Sequence, residues 1–167
     1  MATFAKYPIL GNQDNIIDIF REICWNINVN FHFGPIEEIS QEIANKSTAG
    51  VKKYPLIALV MPFTPQEGNG YDTTVNDLNF IVGCLVENPA QLFKDRYDNS
   101  FKKTLNPIYK SFIQMIADSG YFREVWPEKI LHDPLISSNG AKGNILPDFV
   151  DFYWLKNLHL NKIGGRN

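Results

Sequence analysis

The chain has 167 residues, 44% of them hydrophobic and 13% aromatic, with a formal charge of −2. This is enough for one domain with its own core, and the aromatic share argues against a disordered segment. The charge balance carries no signature of a nucleic-acid binder, and no apolar run reaches the roughly 18 residues that a membrane span needs.

An extended arm over residues 1–11 ends in a turn at Gly11. Ile16, Ile17, Phe20, Ile23, Cys24 and Ile27 then fall on one face of a helix whose start Asn12 or Asp14 can cap. Val29, Phe31 and Phe33 alternate with polar residues and predict a short strand with these three facing inward. Pro35 suits the first turn of a second helix, with Ile36, Ile39 and Ile43 on its inner face and Glu37, Glu38, Gln41 and Glu42 outward.

The run from Tyr54 to Met61 is apolar, β-branched and flanked by prolines, which predicts a strand. Thr64 to Asn76 is polar, with two glycines and a proline, and reads as a mobile loop. In the strand Leu78–Val86 the residues Leu78, Phe80, Val82, Cys84 and Val86 share one face. Ile81 and Leu85 make the other face partly apolar, which predicts cover on both sides. The two strands form a hairpin with a long tip.

Phe93, Tyr97, Phe101 and Leu105 recur every four residues, followed by Ile108, Phe112 and Met115 or Ile116. Pro107 divides this pattern into two helices, the second capped by Asn106 and ended at Gly120. Residues 121–147 are irregular. Val150, Phe152 and Trp154 alternate in a last strand, with Leu158 and Leu160 resuming the same parity. Lys156 implies a bulge, an edge or an exposed position. Residues 162–167 form a loose tail. The fold class that follows is α+β: a single domain over residues 1–167, with a mainly antiparallel sheet and helices packed on one face.

No constellation in the sequence marks a catalytic or metal centre. His32, His132 and His159 lack metal-ligand spacing, and His32 reads as a solvated or satisfied side chain. Glu37, Glu38 and Glu42 read as a solvated acidic face. Ser137 to Asn144 lacks phosphate-loop spacing. Cys24 and Cys84 read as buried free thiols, and burial disfavours a Cys84 thiolate. No catalytic, cofactor-binding or metal-binding residue is assigned and no cofactor is expected. The N-terminus lacks the pattern of a signal peptide, so folding in a reducing cytoplasm is expected.

The succession FHFGPIEEI, KYPLIALVMPF, LNFIVGCLV, FKKTLNPIYKSFIQMI and DFVDFYWLKNLHLN resembles the small head–tail connector and tail-terminator proteins of tailed bacteriophages. It looks most like those of phages of Bacteroidetes, the crAss-like group included, and covers residues 12–161. The resemblance implies a tail-terminator-like fold and a ring of identical subunits in the virion neck or tail, assembled in the host cytoplasm. The ring would surround a channel through which DNA passes without sequence-specific binding. Its neighbours would be portal-side connector and tail proteins, with no membrane partner. The family carries over no catalytic residues.

The contact-making residues expected for such a ring are Thr64, Gln66, Glu67, Asn69 and Tyr71 in the polar tip and Trp154, Lys156, His159 and Arg166 near the C-terminus. Two other readings remain open at this stage: a small cytoplasmic hydrolase of unfamiliar fold, and an adaptor that binds one partner through a sheet edge without ring symmetry.

Overall fold

The computed structural model describes residues 12–48, 52–67, 73–86, 92–123, 131–137, 146, 148 and 150–162. The proposed arm and tail tip lie outside these residues. Helix α1 (Asn12–Asn26) buries Ile16, Ile17, Ile19, Phe20, Ile23 and Cys24. It stops where Asn28 takes the left-handed conformation (φ 57°). The Asn28 amide donates to Trp25 O at 3.0 Å and the Val29 amide to Cys24 O at 2.9 Å, which satisfies the carbonyls of the last turn.

The chain then runs directly into strand β1 (Asn30–Gly34), and Gly34 supplies the positive φ (135°) that turns it into helix α2 (Ile36–Thr48). Strand β2 (Leu56–Val60) pairs parallel to β1, so α2 is the crossover of a β–α–β unit. Every other pairing is antiparallel. Strand β4 (Thr73–Leu85) takes β2 and the short β3 (Thr64–Glu67) in succession along one side. Along its other side runs β6 (Val150–Lys162), which in turn pairs β5 (Leu131–Ser137). The main strand order is β1-β2-β4-β6-β5.

The α+β class, the mainly antiparallel sheet and the β2–β4 hairpin match the sequence reading. Several details differ. Residues 64–67 and 73–76 are paired strand rather than loop, so the hairpin tip shrinks to the segment between them. Part of the region read as irregular is the edge strand β5, whose Pro134 suits an edge position. Strand β6 is therefore interior, not at the edge.

The helices occupy both faces of the sheet rather than one. Ile57, Leu59, Phe80 and Val82 share a core with α1, Phe101 and Phe112. Leu56, Ala58, Ile81 and Phe152 share another with Ile39 and Ile43 of α2. Successive residues of β2 thus feed opposite cores, as the two-residue repeat of a strand requires.

Two register shifts separate β4 from β6. Val75 pairs Leu160 while Leu78 pairs Leu158, and Phe80 then pairs Leu155. One extra residue sits in β4, where Asp77 has φ 60°, and one in β6 after Leu155. The second bulge falls at Lys156, where a bulge was one of three expectations beside an edge and an exposed position. It also reverses parity: Leu158 and Leu160 join the α1 core, whereas Phe152 and Trp154 belong to the α2 side.

Residues 93–118 form one continuous helical run, not two capped helices. It comprises α3 (Phe93–Arg96), a π-helical stretch (Tyr97–Leu105) and α4 (Asn106–Asp118). Asn106 is itself helical, and its amide donates to Phe101 O, five residues back. The wider π turn ends at Pro107, whose ring would collide with the carbonyl four residues earlier in a regular α-helix. The Asn106 side chain accepts a 2.6 Å hydrogen bond from the Tyr153 hydroxyl instead of capping.

The centre of the larger core is aromatic. Phe80 meets Phe20 edge-on at 4.8 Å between ring centroids and Phe112 at 5.1 Å. Phe80→Ala removes the shared partner of both rings and is expected to cost about 3–5 kcal/mol, measured as a lowered urea midpoint with unchanged slope.

Candidate functional site

The most distinctive surface lies at α3. Leu92 is 74% exposed, Phe93 51% and Tyr97 46%. Phe93, Tyr97, Phe101 and Leu105 share one four-residue repeat, yet only the last two are buried. Arg96 takes the inward position of this turn and is 5% exposed. Its Nη2 donates to Asp151 Oδ1 at 2.5 Å and its Nε to Oδ2 at 3.3 Å. Asp151 is fully buried on β6, opposite Cys84 of β4. This two-pronged contact ties the first helical turn to the sheet, while the Phe93 and Tyr97 rings lie against Phe101 at 6.1 Å and stay half exposed.

Cys84 belongs to the same cluster. Burial, reinforced by the Asp151 charge, pushes its thiol up to about 12, while Ser100 and Arg96 oppose the shift. Burial alone raises Cys24 well above the usual thiol range. Both are free and buried, as expected, and neither is a thiolate at neutral pH.

The sequence did not single out Arg96 or Asp151. Asp151 shares the inward parity of Tyr153 and Leu155, and an acid on a core face requires a cation. That signal became readable only once the parity of β6 was fixed.

The expected contact residues fall into groups. Thr64, Gln66 and Glu67 lie on β3, which among the described residues pairs only with β4 and leaves its other edge open. Thr64 pairs Asn76, and the exposed His159 places Nδ1 3.0 Å from Asn76 Oδ1, so these two predicted residues converge on one asparagine. Trp154 is half-buried against the α2 core, with Lys156 Nζ 5.1 Å from its ring centroid. Asn69, Tyr71 and Arg166 lie outside the described residues.

Of its two readings, solvated or satisfied, His32 is the paired and buried one, and Phe33, expected to face inward, is the exposed side chain of β1. Being on the α2 side of the strand, His32 sets Nδ1 2.9 Å from Glu42 Oε2, and Glu42 Oε1 lies 3.0 Å from Lys46 Nζ. Glu42 is thus paired rather than merely solvated. Burial raises its pKa, but His32 and Lys46 more than offset this and hold it below the usual carboxylate range.

A cleft of about 180 Å³ is lined by Trp25, Asn28, Val29, Asn30, Lys52 and Pro55. It brings no pair of titratable acids or bases together. Among the described residues no group of three or more His, Cys, Asp or Glu is placed to hold a metal ion, and no helix is long and apolar enough to cross a membrane. No family model and no curated protein matches the sequence.

Asp151→Ala leaves the Arg96 charge buried and unpaired. It is expected to cost about 3–5 kcal/mol by urea unfolding, with a double Arg96→Met, Asp151→Leu variant recovering most of the loss. The Glu42 pair has a pH signature. A carboxyl lowered in the folded state adds stability above its unfolded pKa, which is lost as pH falls through the folded one. Glu42→Gln is therefore expected to lose less stability than the parent protein between about pH 6 and about pH 3. Equal losses in the two proteins would show that the pair does not couple to folding.

Proposed function

We propose that this chain is a structural subunit that assembles with copies of itself into a ring at the head–tail junction of a tailed bacteriophage, as a neck connector or tail terminator. The observation that carries the reading is the α3 surface: three large apolar side chains exposed beside a buried ion pair. An apolar cluster fixed in an exposed position is a feature of surfaces that meet another protein. The open side of β3 adds backbone donors and acceptors for a neighbour.

The virion location rests on the sequence resemblance across residues 12–161. The neighbours would be portal-side and tail proteins. The charge of −2 suits a channel wall along which DNA slides, since a lysine-rich wall would hold phosphates.

The test is mass and shape. Native mass measurement and electron microscopy of the purified chain, alone and mixed with virion proteins, are expected to show a defined closed oligomer. A monomer in every mixture, together with absence of the chain from purified particles, would overturn the proposal. A monomer that binds one partner without rotational symmetry would favour the adaptor reading.

A further inference from the structure

We infer that the helical segment Tyr97–Leu105 is a two-register element, held in its π form by side-chain contacts with β6 and passing to an α-helix when they are released. The inference concerns a single chain and does not depend on the ring reading.

Three side chains of this run reach β6, and they are spaced five residues apart. Arg96 pairs with Asp151. Phe101 meets the Tyr153 ring edge-on at 5.3 Å between centroids. Asn106 accepts from the Tyr153 hydroxyl at 2.6 Å. Asp151 and Tyr153 are alternate residues of β6 and share one face of it. In a regular α-helix, residues five apart point roughly 140° away from one another, so Arg96 and Asn106 could not both face the strand that Phe101 faces. A repeat of five is the hydrogen-bond repeat of a π-helix. The backbone agrees: the Tyr97 amide donates to Phe93 O, four residues back, and the Asn106 amide to Phe101 O, five back.

The competing repeat is written into the same segment. Phe93, Tyr97, Phe101 and Leu105 are four apart, the spacing of an α-helical face. π-Helices persist mostly as single turns inside α-helices, often at functional sites, whereas this one runs nine residues. That rarity marks the wider winding as the less stable one, so without its β6 contacts the segment winds as α. The register also sets what the first turn shows. In the π form Arg96 is buried and Leu92, Phe93 and Tyr97 are exposed. The α form carries Arg96 off the strand and turns the other three with it. A partner that docks on them in the π form therefore stabilises the β6 contacts, and loss of those contacts displaces its surface.

Pro107 is the rival cause of the wide turn, because its ring meets the carbonyl four residues earlier in a regular helix. The experiment reads the register directly, as the NMR coupling through the hydrogen bond of the Asn106 amide in the full chain. In the parent protein the acceptor is expected to be the Phe101 carbonyl. In the triple variant Arg96→Met, Asp151→Leu, Tyr153→Phe it is expected to become the Lys102 carbonyl. Phe101 retained as acceptor in the triple variant overturns the inference, and so does Lys102 as acceptor in the parent. Pro107→Ala is expected to keep the Phe101 acceptor; a change to Lys102 there assigns the register to the proline and overturns the inference as well. Should the triple variant fail to fold, Tyr153→Phe alone decides. Loss of its one hydroxyl is expected to speed hydrogen exchange of the Asn106 amide about fivefold, and an unchanged rate overturns the inference.

Discussion

The fold depends on strand β4 being buried on both of its faces and both of its edges. Its 13 residues pair with β2 and β3 on one side and with β6 on the other. Phe80 and Val82 enter one core while Ile81 enters the other. A strand of this kind cannot face water, so cover is needed on each side. Helix α1 and the run 93–118 provide it on one face, and α2 provides it on the other. That α2 is also the crossover between the parallel strands β1 and β2 follows from the same need: a parallel connection has to traverse one face.

The two bulges adjust this arrangement where the strands are longest. A regular β6 would keep Trp154, Leu158 and Leu160 on a single face. With one extra residue after Leu155, the last turn of the pattern moves to the α1 side, where Leu158 and Leu160 are buried. The compensating residue in β4, at Asp77, lets Val75 follow into the same core. Polar residues at both bulges, Lys156 and Asp77, sit where the β4–β6 ladder is interrupted.

Local apolar periodicity made α1, α2, β2 and β4 legible, because each buries a face wholly determined by its own spacing. What escaped depended on partners distant in the chain. Strand β5 contains His132, Asp133 and Pro134 and has no clear alternation, yet β6 supplies all its pairing. His32 looked like a polar-face residue because α2 had not been placed above β1. Pro107 signalled an interruption, but the backbone accommodates it by widening the helix before the proline instead of ending it. The contact residues proposed near the tip were placed by polarity alone. The α3 surface was not singled out because its aromatics share a four-residue repeat with the buried Phe101 and Leu105.

That last failure shows what the buried ion pair does. Phe93 (51% exposed) and Tyr97 (46%) are already half buried, so covering the rest would gain about 1 kcal/mol per ring, and the regular four-residue spacing offers a simple way to do it by rotating the first turn. Rotation would carry Arg96 away from Asp151, which lies fully buried on an interior strand. Breaking such a pair costs about 3–5 kcal/mol, because the carboxylate stays in the core without its cation. The second magnitude is the larger, and Asp151 has no exposed position to fall back on, since it is fully buried opposite Cys84. The pair therefore contributes less to overall stability than to the choice of rotation. With Arg96 inward, Leu92, Phe93 and Tyr97 stay exposed, an apolar surface that local spacing alone does not reveal.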